Sequence, residues 1–301
     1  MTRNPNVAGR SLLMLMTVVA LGPFDRLRAG LQGTSATSQA PTFSSRVDIV
    51  RIDVSVRRNG RAVRGLTAED FEVYDNGVRQ RISFVRSEET PIDLVLALDM
   101  SDSLRGPGLA QLRAASARLV QMLKAGDSGA LIAFTDLVTI RSPFTENVAA
   151  LSSALELPAA GPDTALIDAA YAAMVLADSA SDRPVVVVFS DGVDTASFLN
   201  PSFVLDTAKQ TGPAVFAVVT PQAGLGGFLD DLVRLTGGRR VGVTSLDDLA
   251  DTFVTILENS KERYLLGYTP TGVAATGWHE LKVSVRGGAE VHARPGYLAR
   301  P

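Results

Sequence analysis

A chain of 301 residues, 46% hydrophobic with net charge −3, has the length of one large domain or two modest ones and ample apolar content for a packed core. So even a charge balance gives no global argument for nucleic acid, which wants a concentrated basic face. With no cysteine, disulfides, thiolate metal sites and a cysteine lipid anchor are excluded as well.

The first segment, residues 1–30, places Arg3 and Arg10 ahead of an apolar run, SLLMLMTVVALG, at 11–22. A basic start and a run of this length read as an export signal, too short for a full membrane span. Thr34-Ser35-Ala36 offers small residues for cleavage, but Asp25, Arg26 and Arg28 intervene, so an uncleaved anchor is the alternative and a later start a third. Membrane attachment is expected only through that segment. Residues 31–45, rich in Ser, Thr, Gln and Gly, read as linker.

Residues 46–90 carry β patterning. Val47, Ile49, Ile52, Val54 and Val56 alternate, with one slip after Ile49, as in a half-buried strand. Arg57, Arg58, Arg61 and Arg64 flank Asn59-Gly60, a two-residue turn signal, and so mark a solvated hairpin. Thr67 is placed to cap a single turn over Leu66–Asp70. Strands over Phe71–Tyr74 and Val78–Val85 meet at Asp75-Asn76-Gly77. This stretch is too short to bury a core alone.

From 91 to 260 strands and helices alternate. Strands are expected at Leu94–Asp99, Gly129–Thr135, Val138–Ile140, Pro184–Ser190, Ala214–Val219 and Arg240–Val243. Helices are expected at Gly108–Lys124, Val148–Leu155, Ala165–Ala180, Ser202–Gln210, Phe228–Leu235 and Leu246–Lys261. Gly237-Gly238 ends the fifth helix as a C-cap signal. Such alternation gives an α/β fold with a doubly wound, Rossmann-like parallel sheet. Residues 261–301 return to β patterning at Arg263–Tyr268, Glu280–Val285 and Glu290–Arg294. The economical reading pairs the two flanks into one small β-sandwich-like domain with the α/β domain inserted. The competing reading has the flanks merely decorate the α/β core.

Candidate chemistry gathers where strands end. The all-apolar run Leu94–Leu98 drives into Asp99, with Ser101 and Ser103 following at alternate positions. Gly161-Pro162-Asp163-Thr164 precedes a helix, and Asp191 directly follows Pro184–Ser190. In doubly wound sheets ligands sit outside the carboxyl ends of the strands. Carboxylates and hydroxyls without sulfur or imidazole suit a hard divalent cation: Mg²⁺, or Mn²⁺ or Ca²⁺. Asp163, Asp168 and Asp194 are candidate outer partners of the site; capping or surface roles are the alternative for the last two, as helix capping is for Ser101 and Ser103.

The ordered set Asp99, Ser101, Ser103, Thr164 and Asp191 resembles the metal-ion-dependent adhesion site (MIDAS) of the von Willebrand factor A (VWA) domain family. The stretches GLTAEDFEVYDNG, LVRLTGGRR and RYLLGYTP are similar to secreted bacterial VWFA-related proteins. The resemblance implies a VWA-like fold over 91–260. It implies direct ligation by Ser101, Ser103 and Thr164, with Asp99 and Asp191 acting mostly through water. Asp163 stands where a Gly often precedes the Thr in the family.

Enzyme readings fare worse. A haloacid-dehalogenase-type phosphotransferase needs a second acid where Ser101 stands. A serine hydrolase needs a base near Ser101, whereas His279 and His292 fall in the C-terminal strands, where they read as exposed. No Gly-x-Ser-x-Gly elbow or P-loop occurs. The resulting expectation is a non-catalytic, exported, metal-dependent adhesion or assembly protein. Its partner protein supplies an Asp or Glu carboxylate. The alternatives are a structural envelope-assembly protein with a stabilising metal and, last, a metal-assisted hydrolase.

Overall fold

The computed structural model describes residues 49–87, 91–156, 161–180, 183–191, 193–220 and 227–299. The export segment and linker expected over 1–45 lie outside them, as does Val47.

The amino-terminal flank forms β1 (Val50–Arg58), β2 (Arg61–Ala62), β3 (Phe71–Asp75), β4 (Val78–Gln80) and β5 (Ile82–Ser87). Asn59-Gly60 and Asn76-Gly77 turn with positive φ at both residues, the backbone that a tight hairpin requires. The single strand expected over 78–85 is broken at Arg81, because β4 pairs with β3 while β5 crosses to another sheet. At the turn before β3 the capping runs opposite to expectation. The Thr67 hydroxyl and amide both donate to the Asp70 carboxylate, at 3.0 and 2.8 Å.

The middle of the chain gives β6 (Asp93–Asp99), α1 (Pro107–Gln121), β7 (Ser128–Phe134), β8 (Val138–Thr145), α2 (Val148–Ala154) and α3 (Leu166–Asp178). It continues with β9 (Pro184–Ser190), α4 (Pro201–Ala208), β10 (Ala214–Val219), α5 (Phe228–Thr236), β11 (Arg239–Gly242) and α6 (Leu249–Lys261). The sheet runs β11-β10-β9-β6-β7-β8, parallel except for the β7–β8 pair. β8 is longer than expected; as an edge strand it tolerates Pro143. Side chains of β6, β7, β9 and β10 fill two cores. One lies beneath α1, α2 and α6, the other beneath α3, α4 and α5. Burial on both faces is why these strands read as continuous apolar runs.

The carboxyl-terminal flank gives β12 (Tyr264–Tyr268), β13 (Gly277–Val285), β14 (Glu290–His292) and β15 (Gly296–Ala299). β15 has no counterpart in the sequence reading, and β13 begins three residues early. Strands of the two flanks pair with each other: β1 with β12 and β14, β5 with β12, β3 with β13. The result is two antiparallel sheets, β14-β1-β12-β5 with β2, and β15-β13-β3-β4, closing on Ile52, Val54, Phe71, Val73, Tyr264 and Leu266. His279 is not exposed but 1% accessible. Its Nδ1 lies 2.7 Å from Asp75 Oδ1, and Tyr268 and Tyr297 donate their hydroxyls to Asp75 Oδ2 at 2.7 and 2.9 Å. A buried polar group must be partnered in this way. An alternation pattern cannot reveal such partnering.

The β module meets the α/β module at the amino edge of the parallel sheet. Arg263, just before β12, bridges the Asp53 carboxylate and the Gly237 carbonyl, and buried Arg183, just before β9, donates to Ser260 O at 2.7 Å. Arg294 donates to the carbonyls of Ala208, Lys209 and Thr211 at and just beyond the end of α4. Gly237 ends α5 in the left-handed region, and a Cβ on Gly238 would stand 1.8 Å from the Val215 carbonyl oxygen. Gly238→Ala is therefore expected to cost about 3 kcal/mol or more, because the clash is with backbone. Urea unfolding that shows wild-type stability in this variant would contradict the packing described.

Candidate metal centre

β6 and β9 are neighbours, with Leu98 opposite Phe189. The chain leaves β6 towards β7 on one side and returns on the other at β9, so this is the topological switch point where doubly wound sheets open a crevice. Asp99 ends β6, and Asp191 follows β9. Met100 and the 3₁₀ turn Asp102–Leu104 carry the chain round, projecting Ser101 and Ser103 towards Asp191.

The distances are short. Ser101 Oγ and Ser103 Oγ are 2.8 Å apart. Ser103 Oγ donates to Asp191 Oδ1 at 2.9 Å, and Ser101 Oγ to the same oxygen at 3.4 Å. Asp99 Oδ1 accepts from Ser101 N at 2.9 Å, and its Oδ2 accepts from Ser190 Oγ at 2.6 Å. Ser190, to which the sequence reading gave no role, thus aims the Asp99 carboxylate. Its one sequence signal is its place at the end of a buried strand beside Asp191.

Thr164 approaches from a third loop. Gly161 forms a parallel bridge with Ser101 and donates to Met100 O at 2.9 Å. Thr164 N donates to Thr195 Oγ1 at 2.9 Å, and Thr164 O accepts from Thr195 N at 2.9 Å. The Thr164 side chain is 4% accessible, and its hydroxyl makes no hydrogen bond among the described residues. Thr195, also missed from sequence, reaches Asp163 Oδ1 at 3.3 Å.

The remaining candidates face a neighbouring loop. Asp168 accepts Leu199 N and Phe198 N at 2.9 and 3.0 Å. Asp194 accepts Ile167 N at 3.2 Å and Ser197 Oγ at 2.5 Å. Together they stitch residues 194–199 to the first turn of α3.

Electrostatics distinguish the centre from an ordinary turn. Asp99 is fully buried, and burial pushes its carboxyl up to about 6 against the opposing pull of Ser190 and Ser101. Burial also raises Asp191. Among the described residues no Lys, Arg or His pairs with either acid, and no group of three or more His, Cys, Asp or Glu gathers anywhere. Two acids and three hydroxyls, all oxygen, short of positive charge, fit a hard divalent ion and disfavour a thiolate- or imidazole-seeking one.

A family model described as von Willebrand factor type A domain matches residues 93–253, more than half of the chain. The chain belongs to the VWA family. Domains of this family commonly bind a divalent metal at the MIDAS and generally serve protein–protein contacts rather than catalysis.

Solved structures similar to this VWA protein include a von Willebrand factor type A protein from Catenulispora acidiphila, 13% identical with TM-score 0.52, covering 81% of this chain and 76% of that one. Proximal thread matrix protein 1 from the mussel byssus is 14% identical with TM-score 0.52, covering 70% and 50%. A second structure of that mussel protein, with a zinc-occupied MIDAS motif, is 14% identical with TM-score 0.52, covering 62% and 49%. At such identity the likeness is one of fold. The VWA chain spans about half the length of the mussel protein. No curated protein matches it. Among the described residues no helix is long and apolar enough to cross a membrane.

Asp168→Ala is expected to free the 194–199 loop at a cost of about 1–2 kcal/mol, since two amides lose a charged acceptor. Faster hydrogen exchange at Phe198 and Leu199, with the strands of the parallel sheet unchanged, is the outcome that supports this account.

Proposed function

We propose that this VWA protein is a non-catalytic, divalent-metal-dependent adhesion or assembly protein whose partner completes the metal's coordination with an Asp or Glu carboxylate. The observation that carries the reading is the buried Asp99 carboxylate, set beside Ser101, Ser103 and Asp191 with no basic counter-ion among the described residues. In this reading Ser101, Ser103 and Thr164 hold the ion directly, and Asp99 and Asp191 hold it mainly through water. Mg²⁺ is the expected ion, with Mn²⁺ and Ca²⁺ as substitutes. When bound, the ion supplies an electrophilic centre for an incoming carboxylate. The hydroxyl ligands leave it incompletely neutralised, so Asp99 and Asp191 orient and tune rather than quench it.

The surroundings support protein docking over catalysis. The two histidines sit in β13 and β14, in the flanking module, so no imidazole base stands beside Ser101. Leu137, Val193 and Phe198, on loops following β7 and β9, are 66%, 52% and 89% accessible. Exposed apolar side chains beside a polar site are what a protein partner can cover. We further assign residues 46–90 and 261–301 to one β domain and 91–260 to the VWA domain. Residues 1–30 are read as an export signal or anchor and 31–45 as linker, which puts the protein outside the cytoplasm, in the periplasm, the envelope or the medium. The flanking β module gives some support to a purely structural envelope role, in which the metal only stabilises the fold.

Thermal unfolding with Mg²⁺, Mn²⁺ or Ca²⁺ against EDTA tests the site. An ion at a hundred times its Kd adds about 2.7 kcal/mol, a rise of roughly 5–10 °C for a chain of this size. The rise should vanish in Asp99→Ala and in the less disruptive Ser101→Ala. A wild type indifferent to millimolar ions sinks the reading. Partner capture abolished by EDTA separates adhesion from the structural role, since the latter survives chelation.

A further inference from the structure

The Gly237-Gly238-Arg239 motif and the arginine that opens the last β segment meet far from the metal centre, and only part of the meeting is explained by packing. Gly237 and Gly238 are fixed by close backbone approach. Arg239 is not. It begins the edge strand β11 and is exposed, where many polar residues would serve.

Arg239 instead lines a cleft of about 30 Å³ between the two modules, together with Arg57, Arg263, Ser55, Asn259 and His292. Arg57 donates to Gly60 O at 2.7 Å and to Asn259 Oδ1. That leaves the Asn259 amide nitrogen as a donor. Arg263 is held by Asp53 and by the Gly237 and Asp53 carbonyls. Arg239 makes no hydrogen bond or ion pair among the described residues.

The nearby acids are already engaged. Asp53 serves Arg263, Glu262 accepts from Arg64 at 2.7 Å and lies 3.9 Å from Arg57, and Glu290 lies 2.8 Å from His292 Nε2. Among the described residues Glu290 is the acid whose field reaches Arg239. Burial, then Arg57, then Arg263 push the Arg239 guanidinium below its ordinary value, and Glu290 pulls the other way, so two guanidinium groups crowd Arg239 against one carboxylate. Arg57, Arg239, Arg263, Ser55, Asn259 and His292, which line the cleft, all carry hydrogen-bond donors.

We propose that this cleft is a binding site for a small oxyanion of the phosphate or sulfate type, with Arg239 as its principal ligand. A volume of this size admits one small tetrahedral anion or about two waters. Guanidinium donors in a fork match such an oxyanion. Because Ser55, Arg57 and His292 belong to the β module and Arg239 and Asn259 to the VWA module, the anion would tie one to the other.

The test is thermal unfolding and calorimetric titration of the full chain with inorganic phosphate in EDTA, at ionic strength held constant with NaCl. EDTA keeps the cation site out of the readout. Wild type should bind one phosphate, and its Tm should rise saturably by a few degrees. Arg239→Gln should lose both responses yet be at least as stable as wild type without phosphate, since it relieves the crowding by Arg57 and Arg263. Arg61→Gln, on the exposed hairpin, should keep both. No heat of binding in wild type, or an undiminished shift in Arg239→Gln, overturns the site.

Discussion

The structure turns on a carboxylate that water does not reach. Asp99 ends a strand buried on both faces, so its charge is carried to the carboxyl edge of the sheet inside the protein. An unpaired buried charge is costly. Among the described residues its relief comes from the Ser190 hydroxyl and from the amide and hydroxyl of Ser101. The turn that follows must supply those donors and also present Ser103 to Asp191. This is why hydroxyl residues recur at alternate positions and why the crossing at the β6–β9 boundary matters. A strand order without that switch would place Asp191 against a different loop.

The opposite edge is organised by arginine. Arg183, Arg263 and Arg294 are each largely buried, and each is neutralised by carbonyls or by Asp53 rather than exposed to solvent. Planar guanidinium groups suit such junctions because several donors leave one rigid fork. They bind the β module to the amino edge, away from the carboxyl-edge loops. Attachment and the candidate metal centre thus occupy opposite poles of one sheet.

Most of the α/β half was legible in the sequence because period and physics coincide. Continuous apolar runs mean strands buried twice, as at Val185–Phe189, and Gly237 ended its helix as a left-handed glycine should. The flanks were less legible. Nothing local marks Arg81 as the residue where the chain changes sheets, and β15 is a strand only because β13 lies beside it. His279 looked like a surface residue because its partner, Asp75, is 204 positions away. At the candidate site Asp99, Ser101, Ser103 and Asp191 were found by type and order, and the structure brings them within hydrogen-bond reach. Ser190 and Thr195 escaped because their roles are to hold other residues in place. Such roles depend on three-dimensional neighbours that a motif does not encode.

The pairing of flanks across the chain constrains how the protein comes into being. β1 finds its neighbours only when β12 and β14 exist, and the Asp53–Arg263 contact closes over 210 residues. Contacts so distant in sequence form late, because loop-closure entropy must be met before they reward the chain. The inserted α/β region, rich in local strand–helix contacts, can condense first and bring residues 91 and 261 near each other. That condensation shortens the effective loop for β1 and β12. Until then β1 remains an unpaired strand edge open to misassociation. The insertion therefore serves as the template on which its host module closes.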